Sequence, residues 1–357
     1  MPDLKKISSP DLAALGNVVF RGNFKGTISD FSTDGLLSTQ LGSLSANLSM
    51  KLPAKAEPIY TGSLTTKRFN LGKFVSVPQL GIIDFNGKIN GSSFLLDKLK
   101  TSIDGNFNSL EFNGYTYSNI STNGTFQKKY FNGELKIDDP NFDFTSIVEV
   151  DLSKADPRFN ILGDIANADF QQLKFTNDKF GLSGLLDVNF TGNDIDQFLG
   201  TAKILNANLT YEGEKLAFDS ASLQSIYEQG KRFLVLRSNE FSVIVTGEQY
   251  KILDLPNSLQ AFFHNYFPSL IAKPAKKPAP QNFIVAIKTG IFEKYAPIIN
   301  KKLSGLNYLN IVGAVNTSDT GSFYLLGDIP VVKYDQYALY NASINGSGNY
   351  KSLDLKI

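Results

Sequence analysis

A short motif recurs along this chain: an aromatic residue, then a polar residue, then glycine, within runs where apolar and polar residues alternate. It occurs at residues 20–22, 85–87, 112–114 and 131–133. Because successive side chains of a β-strand point to opposite faces, each run places its apolar residues on one face and its polar residues on the other. Such repeats without a fixed period predict one long sheet assembled strand by strand, with one apolar face and one polar face.

The remainder of the sequence fits a mainly β fold. From Val18 to about Lys251, alternating runs are separated by Gly, Asn, Asp or Pro turns. Helical periodicity is confined to residues 194–199, 258–266 and 291–303. Glycines on the apolar side of the runs permit a sheet to bend strongly. We therefore predict an elongated antiparallel sheet that curls into a U-shaped trough, with an apolar groove and two or three short helices.

We expect three segments along the chain. Residues 1–267 form the elongated sheet and groove, and residues 283–357 continue the groove with one short helix. Between them, residues 268–282 are rich in Pro and Lys. Prolines at this density favour extended, unpaired backbone, so this segment is predicted to be a flexible loop.

Composition and charge exclude several classes of function. The 35 basic and 34 acidic residues nearly cancel, leaving a net charge of +1 that gives no electrostatic case for binding nucleic acid. There is no cysteine, which excludes disulfides, thiolate nucleophiles and cysteine metal sites. The sequence has no run of about 18 apolar residues of the kind that crosses a bilayer.

The residues that carry enzyme chemistry are scarce. The single histidine, His264, lies among aromatic residues and is interpreted as a packing or surface residue. Residues 139–143 have carboxylates spaced as in a calcium loop, but Phe144 and Val150 replace the glycine and glutamate such a loop needs, so we interpret them as a turn. We expect no catalytic residue, no metal site and no cofactor, and we predict that the protein is not an enzyme.

The apolar face is then the candidate functional surface. Its predicted lining consists of large apolar residues from five regions of the chain: Val18, Phe20, Phe24, Ile28, Phe85, Ile89, Phe131, Leu135, Ile137, Leu186, Val188, Phe190, Phe241, Val243 and Val245.

Several motifs in order along the chain also resemble one known family. They include Tyr60-Thr61-Gly62-Ser63-Leu64, Pro78-Gln79-Leu80-Gly81, Phe85-Asn86-Gly87, Phe131-Asn132-Gly133 and Asp139-Pro140-Asn141. As a set they resemble TamB-type proteins of the AsmA-like superfamily. The likeness covers most of the chain and is densest from about residue 16 to residue 190.

The resemblance implies a taco-like β-sheet in the periplasm of a Gram-negative bacterium, tethered to the inner membrane by an N-terminal helix. Such proteins are implicated in moving phospholipids toward the outer membrane and, with an outer-membrane barrel partner of the Omp85 type, in a translocation and assembly module. The present sequence lacks the anchor and the partner-binding end, so we expect it to be a fragment.

The preferred prediction is a groove that shields phospholipid acyl chains as they pass between the two membranes. Such passage needs a continuous apolar lining and no covalent chemistry. One alternative is a scaffold for outer-membrane protein assembly, whose exposed edges capture unfolded strands. Another is an extracellular β-solenoid adhesin or a carbohydrate-binding protein.

Overall fold

A computed structural model describes residues 11–95, 97–276, 279–317 and 321–357. Within these residues, 22 strands belong to one antiparallel sheet that is not closed, and three short α-helices accompany it. The predicted fold class, a long open antiparallel sheet with two or three short helices, is confirmed. The described part of the chain contains no helix that is long and apolar enough to cross a membrane.

The helices are α1 (Leu71–Val75), α2 (Leu255–His264) and α3 (Ala296–Ile299). The strands are β1 (Val19–Thr27), β2 (Asp30–Thr39), β3 (Gly42–Lys51), β4 (Ile59–Lys67), β5 (Phe69–Asn70), β6 (Leu80–Ser92), β7 (Lys100–Phe112), β8 (Tyr115–Gln127), β9 (Tyr130–Asp139), β10 (Phe142–Asp151), β11 (Arg158–Asp169), β12 (Phe180–Thr191), β13 (Leu199–Tyr211), β14 (Glu214–Glu228), β15 (Lys231–Ser238), β16 (Phe241–Gln249), β17 (Asn282–Thr289), β18 (Leu303–Gly305), β19 (Asn310–Asn316), β20 (Ser322–Tyr334), β21 (Tyr337–Asn349) and β22 (Ser352–Lys356).

The chain divides into two compact units. Unit 1 comprises residues 1–189 and 209–214, and unit 2 comprises residues 190–208 and 215–357. The predicted loop at 268–282 lies within unit 2, and its residues Lys277 and Pro278 lie outside the described residues.

In unit 1, β1 to β4 and β6 to β11 form a meander in which each strand pairs antiparallel with the next. The register aligns large apolar residues across neighbouring strands. One such row crosses β6 to β11 through Phe85, Phe107, Ile120, Ile137, Phe144 and Ile165. We call the side of unit 1 that carries this row its apolar face.

The opposite side of these strands is the polar face of unit 1. Lys88, Asp104, Asn123 and Glu134 are aligned across β6 to β9, and all four are exposed. This division into two faces is the one that the alternating runs predict.

Turns and helix ends account for most departures from the predicted elements. The motif at 112–114 is a hairpin turn, with Asn113 at φ 51° and Gly114 at φ 75°, conformations that asparagine and glycine tolerate best. The short helix α1 was not predicted. The side chain of Asn70 caps it by accepting a hydrogen bond from the Lys73 amide at 2.9 Å, and it ends at Ser76, which is left-handed.

In unit 2, strands β14 to β17 and β19 to β22 form a second antiparallel meander. The helix predicted at 258–266 is present as α2, which begins three residues earlier. The helix predicted at 291–303 is wrong in extent, because only α3 is helical and Asn300 after it is extended at φ −157°.

Candidate functional site

The apolar face of unit 1 contains a groove of about 550 Å³ over strands β7 to β10. Its lining comes from four strands, β7 to β10, and from a short segment after β11: Ile103, Phe107, Leu110, Phe112, Tyr117, Ile120, Thr122, Phe131, Leu135, Ile137, Phe142, Phe170, Leu173 and Phe175. Among these described residues none is charged. The groove therefore offers carbon surface and almost no hydrogen-bonding groups to a ligand.

Strand register builds the floor of this groove. Ile120 lies opposite Ile137 and Thr122 lies opposite Leu135, so β8 and β9 contribute adjacent side chains to one surface. Ile137 is buried, whereas Leu135 and Phe131 further along β9 are only half-buried. Along β9, the floor of the groove is therefore buried at Ile137 and accessible to solvent at Leu135 and Phe131.

A segment that follows β11 closes the enclosed end. The carboxylate of Asp169 accepts hydrogen bonds from the amides of Gln171 and Gln172, both at 3.1 Å, and so starts a tight turn. This turn places Leu173 over the groove, where its side chain is almost fully buried. Phe175 at the rim stays more than half exposed.

The closing segment is also fixed to the β7–β8 turn. The side chain of Asn113 donates to the carbonyl of Lys174 at 3.4 Å, and the Lys174 ammonium donates to the carbonyl of Gly114. This segment was not predicted from the sequence. Its signal was the spacing of apolar residues in Phe170-Gln171-Gln172-Leu173-Lys174-Phe175, which fits neither a strand nor a helix.

A buried carboxylate holds the wall beside the groove. Asp139 accepts hydrogen bonds from the hydroxyl of Tyr115 at 2.6 Å, from the amide and hydroxyl of Ser118 at 3.0 and 2.9 Å, and from the amide of Asn141 at 2.9 Å. Pro140 and Asn141 form the turn between β9 and β10, which confirms the predicted turn at this position.

These contacts decide the charge state of the wall. Burial on its own raises the pKa of the Asp139 carboxyl, but the hydrogen bonds from Tyr115, Asn141 and Ser118 outweigh it and hold that pKa below its ordinary value. Burial, with smaller contributions from Tyr115 and Asp139, raises the pKa of Tyr117 to about 12. The polar groups of the wall are thus occupied with one another, and Tyr117 is neutral where it faces the groove.

Four predicted residues belong to this region. Phe131, Leu135 and Ile137 line the groove, and Leu186 packs against the same apolar cluster. Phe85 and Ile89 lie on the same face in β6. Phe85 is buried in the adjoining cluster with Leu41, Phe69 and Ile83.

The predicted residues near the start of the chain lie elsewhere. Phe20 and Phe24 are on the apolar face of the edge strand β1 and are about half exposed, and the Phe24 ring stacks on Phe31 at 4.7 Å. Val18 precedes β1, and Ile28 lies in the β1–β2 turn with 84% of its surface exposed. Side chains alternate between two faces only within a strand, so the alternation that places Phe20 and Phe24 on the apolar face does not place Val18 or Ile28.

The remaining predicted residues pack in cores. Val188 is buried in unit 1. In unit 2, Phe190, Val243 and Val245 belong to or pack against the cluster around α2, and Phe241 packs edge-on against aromatic rings near α3.

Helix α2 fills the face of unit 2 on which an open groove was expected. Phe262 has no exposed surface, and its ring lies 5.5 Å from those of Phe323 and Tyr350. The helix thus covers Val245 and Phe283 beneath it. The accessible groove described above belongs to unit 1.

Outside the groove, the polar face of unit 1 carries a second depression of about 580 Å³ lined by residues such as Asp104, Asn123, Glu134 and Lys136. No group of three or more histidine or acidic residues that suits a metal ion occurs in the described part of the chain.

No family model, no curated protein and no solved structure matches this chain. The resemblance to TamB-type proteins stays a prediction from sequence motifs.

Proposed function

We propose that the groove of unit 1 binds phospholipid acyl chains and shields them from water. The observation that carries this proposal is a lining without charge, built from Phe, Leu, Ile and Tyr side chains around about 550 Å³. Each buried methylene contributes about 0.8 kcal/mol, so ten methylenes contribute about 8 kcal/mol before the costs of association.

The lining favours a hydrocarbon chain over a polar ligand. A buried polar ligand group without a partner costs several kcal/mol, and the carboxylate of Asp139 in the wall beside the groove already accepts hydrogen bonds from three residues. A headgroup is therefore expected to stay in water while the acyl chain enters between Phe131 and Leu135. Many similar carbon contacts allow a chain to slide, whereas a single polar anchor would hold it.

The sequence resemblance supplies the proposed setting. In this proposal the chain is a periplasmic segment of a TamB-like envelope protein, and the groove is part of a route for phospholipid between the inner and outer membranes. An Omp85-type barrel partner would contact parts of the protein other than this groove.

The proposal is tested by loading the purified protein from phospholipid vesicles, separating the two by gel filtration and measuring bound phospholipid by mass spectrometry. Leu135→Asp places a charge in the groove, and we expect it to reduce bound lipid at least about tenfold, equivalent to 1.4 kcal/mol. Asn132→Asp adds the same charge on the polar face and is expected to bind as the wild type does. Equal lipid in all three proteins, with folding verified by circular dichroism, would refute acyl-chain binding in this groove.

A second candidate function is capture of an unfolded strand. All nine residues of β1 are exposed, and among the described residues this strand pairs only with β2. Such an edge presents unpaired amides and carbonyls to another strand. The amide of Phe24 points away from β2, because hydrogen-bonded pairs alternate along the ladder from Thr27 and Asp30. An extended peptide that binds in proportion to protein, and that no longer binds to a folded Phe24→Pro variant, would favour this function over lipid binding.

A further inference from the structure

The sheet of unit 2 is apolar on both faces, in contrast to that of unit 1. Residues 233–236, 243–245, 283–287 and 311–315 are consecutive apolar or glycine residues, without the alternation seen in β6 to β9. Continuous runs of this kind are typical of strands that are covered on both sides. Within the described part of the chain, helix α2 packs against the side of these strands that carries Val245 and Phe283.

The side opposite helix α2 carries an aligned apolar stripe. Its central row crosses five neighbouring strands, from β15 through β16, β17 and β19 to β20, and consists of Val235, Ile244, Ala286, Val312 and Leu326. We call the surface formed by this row and the next row along the strands, from Phe233 to Tyr324, the bare face.

Substantial apolar surface of the bare face meets solvent. Ile284, Val312 and Leu326 are 47%, 37% and 41% exposed. On the polar face of unit 1, by contrast, the aligned positions of β6 and β7 carry Lys88 and Asp104. A contiguous apolar stripe with a polar rim is typical of an interaction surface.

We propose that the bare face packs against the bare face of a second copy of this chain, about a two-fold axis parallel to β17. Such an axis reverses the strand order, so that β15 meets β20 and β16 meets β19. Val235 then faces Leu326 of the second copy, and Ile244 faces Val312. Ala286, the smallest side chain of the row, lies at the axis, where two identical side chains must meet.

Charges beside the stripe suit the same arrangement. The row adjoining it toward β18 holds Arg237 on β15, Lys288 on β17 and Asp328 on β20. The axis brings Arg237 of each copy opposite Asp328 of the other, which gives two ion pairs at the rim. The two Lys288 residues meet near the axis in solvent and limit the affinity. A rim of both signs does not suit an anionic membrane surface, which attracts basic clusters.

The test is sedimentation velocity of the whole chain over a range of concentrations up to about 100 µM. We expect a monomer–dimer equilibrium. Leu326→Glu should weaken dimerisation at least tenfold, because it buries a charge in the stripe. Leu162→Glu makes the same substitution at an exposed leucine on the polar face of unit 1, 60% exposed against 41% for Leu326, and is the control that should leave the equilibrium unchanged.

A charge exchange tests the proposed axis. Arg237→Asp and Asp328→Arg should each weaken the dimer, and the double variant should recover most of the lost affinity. The proposal would be overturned if the wild type were monomeric at every concentration, or if Leu326→Glu left the dimer dissociation constant unchanged. If the monomer binds vesicles and Leu326→Glu abolishes that binding, the bare face is a lipid-binding surface and the proposed dimer is wrong. Circular dichroism of each variant excludes unfolding as the cause.

Discussion

The ring of Phe85 lies across Gly105 of the neighbouring strand, and a β-carbon added to that glycine would come within 2.7 Å of two ring carbons. Gly105 is the register partner of Gly87, the glycine of the same motif. Gly124 is the partner of Gly133, and a β-carbon added to Gly124 would meet the Asn132 carbonyl oxygen at 2.7 Å and a ring carbon of Phe131 at 3.0 Å. The aromatic–polar–glycine motif therefore makes room on the apolar face for the ring of its own aromatic residue.

This relationship predicts the effect of filling the space. Gly105→Ala should lower the free energy of unfolding by about 2 kcal/mol, because the new methyl group overlaps the Phe85 ring. In a Phe85→Leu background the same substitution should cost less, because the overlap with the ring is removed while the approach to the Asn86 carbonyl oxygen at 2.8 Å remains. Denaturant unfolding of the wild type, the two single variants and the double variant measures the coupling free energy between residues 85 and 105.

The control for this cycle is Gly181→Ala. A β-carbon at Gly181 would meet its nearest neighbour at 3.4 Å, an ordinary contact, so the change should be nearly neutral. Equal costs for Gly105→Ala in the two backgrounds would show that the ring does not set the requirement for glycine.

Asp139 should make stability depend on pH. Its folded-state pKa lies below its ordinary value, so its contribution is fully present above the unfolded pKa of about 3.9 and is lost as pH falls through the folded-state pKa. Asp139→Asn should therefore be about 2 kcal/mol less stable than the wild type at pH 7, with the difference shrinking in acid. Urea unfolding from pH 7 to pH 2 measures this difference, and Asp138→Asn on the same strand is the exposed control. A difference that is constant with pH would contradict the assigned role.

Arg232 predicts a second sensitive position, in unit 2. Its guanidinium is buried and donates to the carbonyls of Ile195, Asp196 and Phe198 at 2.6, 2.8 and 3.3 Å. Arg232→Met leaves these carbonyls without their donors and should destabilise the protein by about 3 kcal/mol. The exposed neighbour Lys231→Met should change stability by less than about 0.5 kcal/mol. Thermal unfolding compares the two, and similar melting temperatures would show that the buried contacts contribute little.

Sequence alternation was sufficient to predict strands because it is a local property. It identified Phe131, Leu135 and Ile137 as neighbours on one face of β9. It did not identify Phe107 or Leu173 as their partners, because those contacts depend on register between strands and on a turn that closes the groove.

The same limit explains the outcome in unit 2. The periodicity of residues 258–266 predicted a helix, but it carried no information on where the helix packs. Val245 therefore lies beneath α2 although its alternation matches that of the open groove. Helix placement depends on complementary surfaces from distant segments, which a local pattern does not report.

The central claim, that an acyl chain occupies the groove of unit 1, is tested most directly by fluorescence quenching. The protein contains no tryptophan, so one introduced tryptophan, excited at a wavelength that the 15 tyrosines do not absorb, supplies the signal. Phe131→Trp reports from the groove, and Asn132→Trp reports from the polar face one residue away. With phospholipids brominated on the acyl chain, we predict saturable quenching in the Phe131→Trp variant and little quenching in the Asn132→Trp variant. Equal quenching in the two variants, or none in a folded Phe131→Trp protein, would contradict the account.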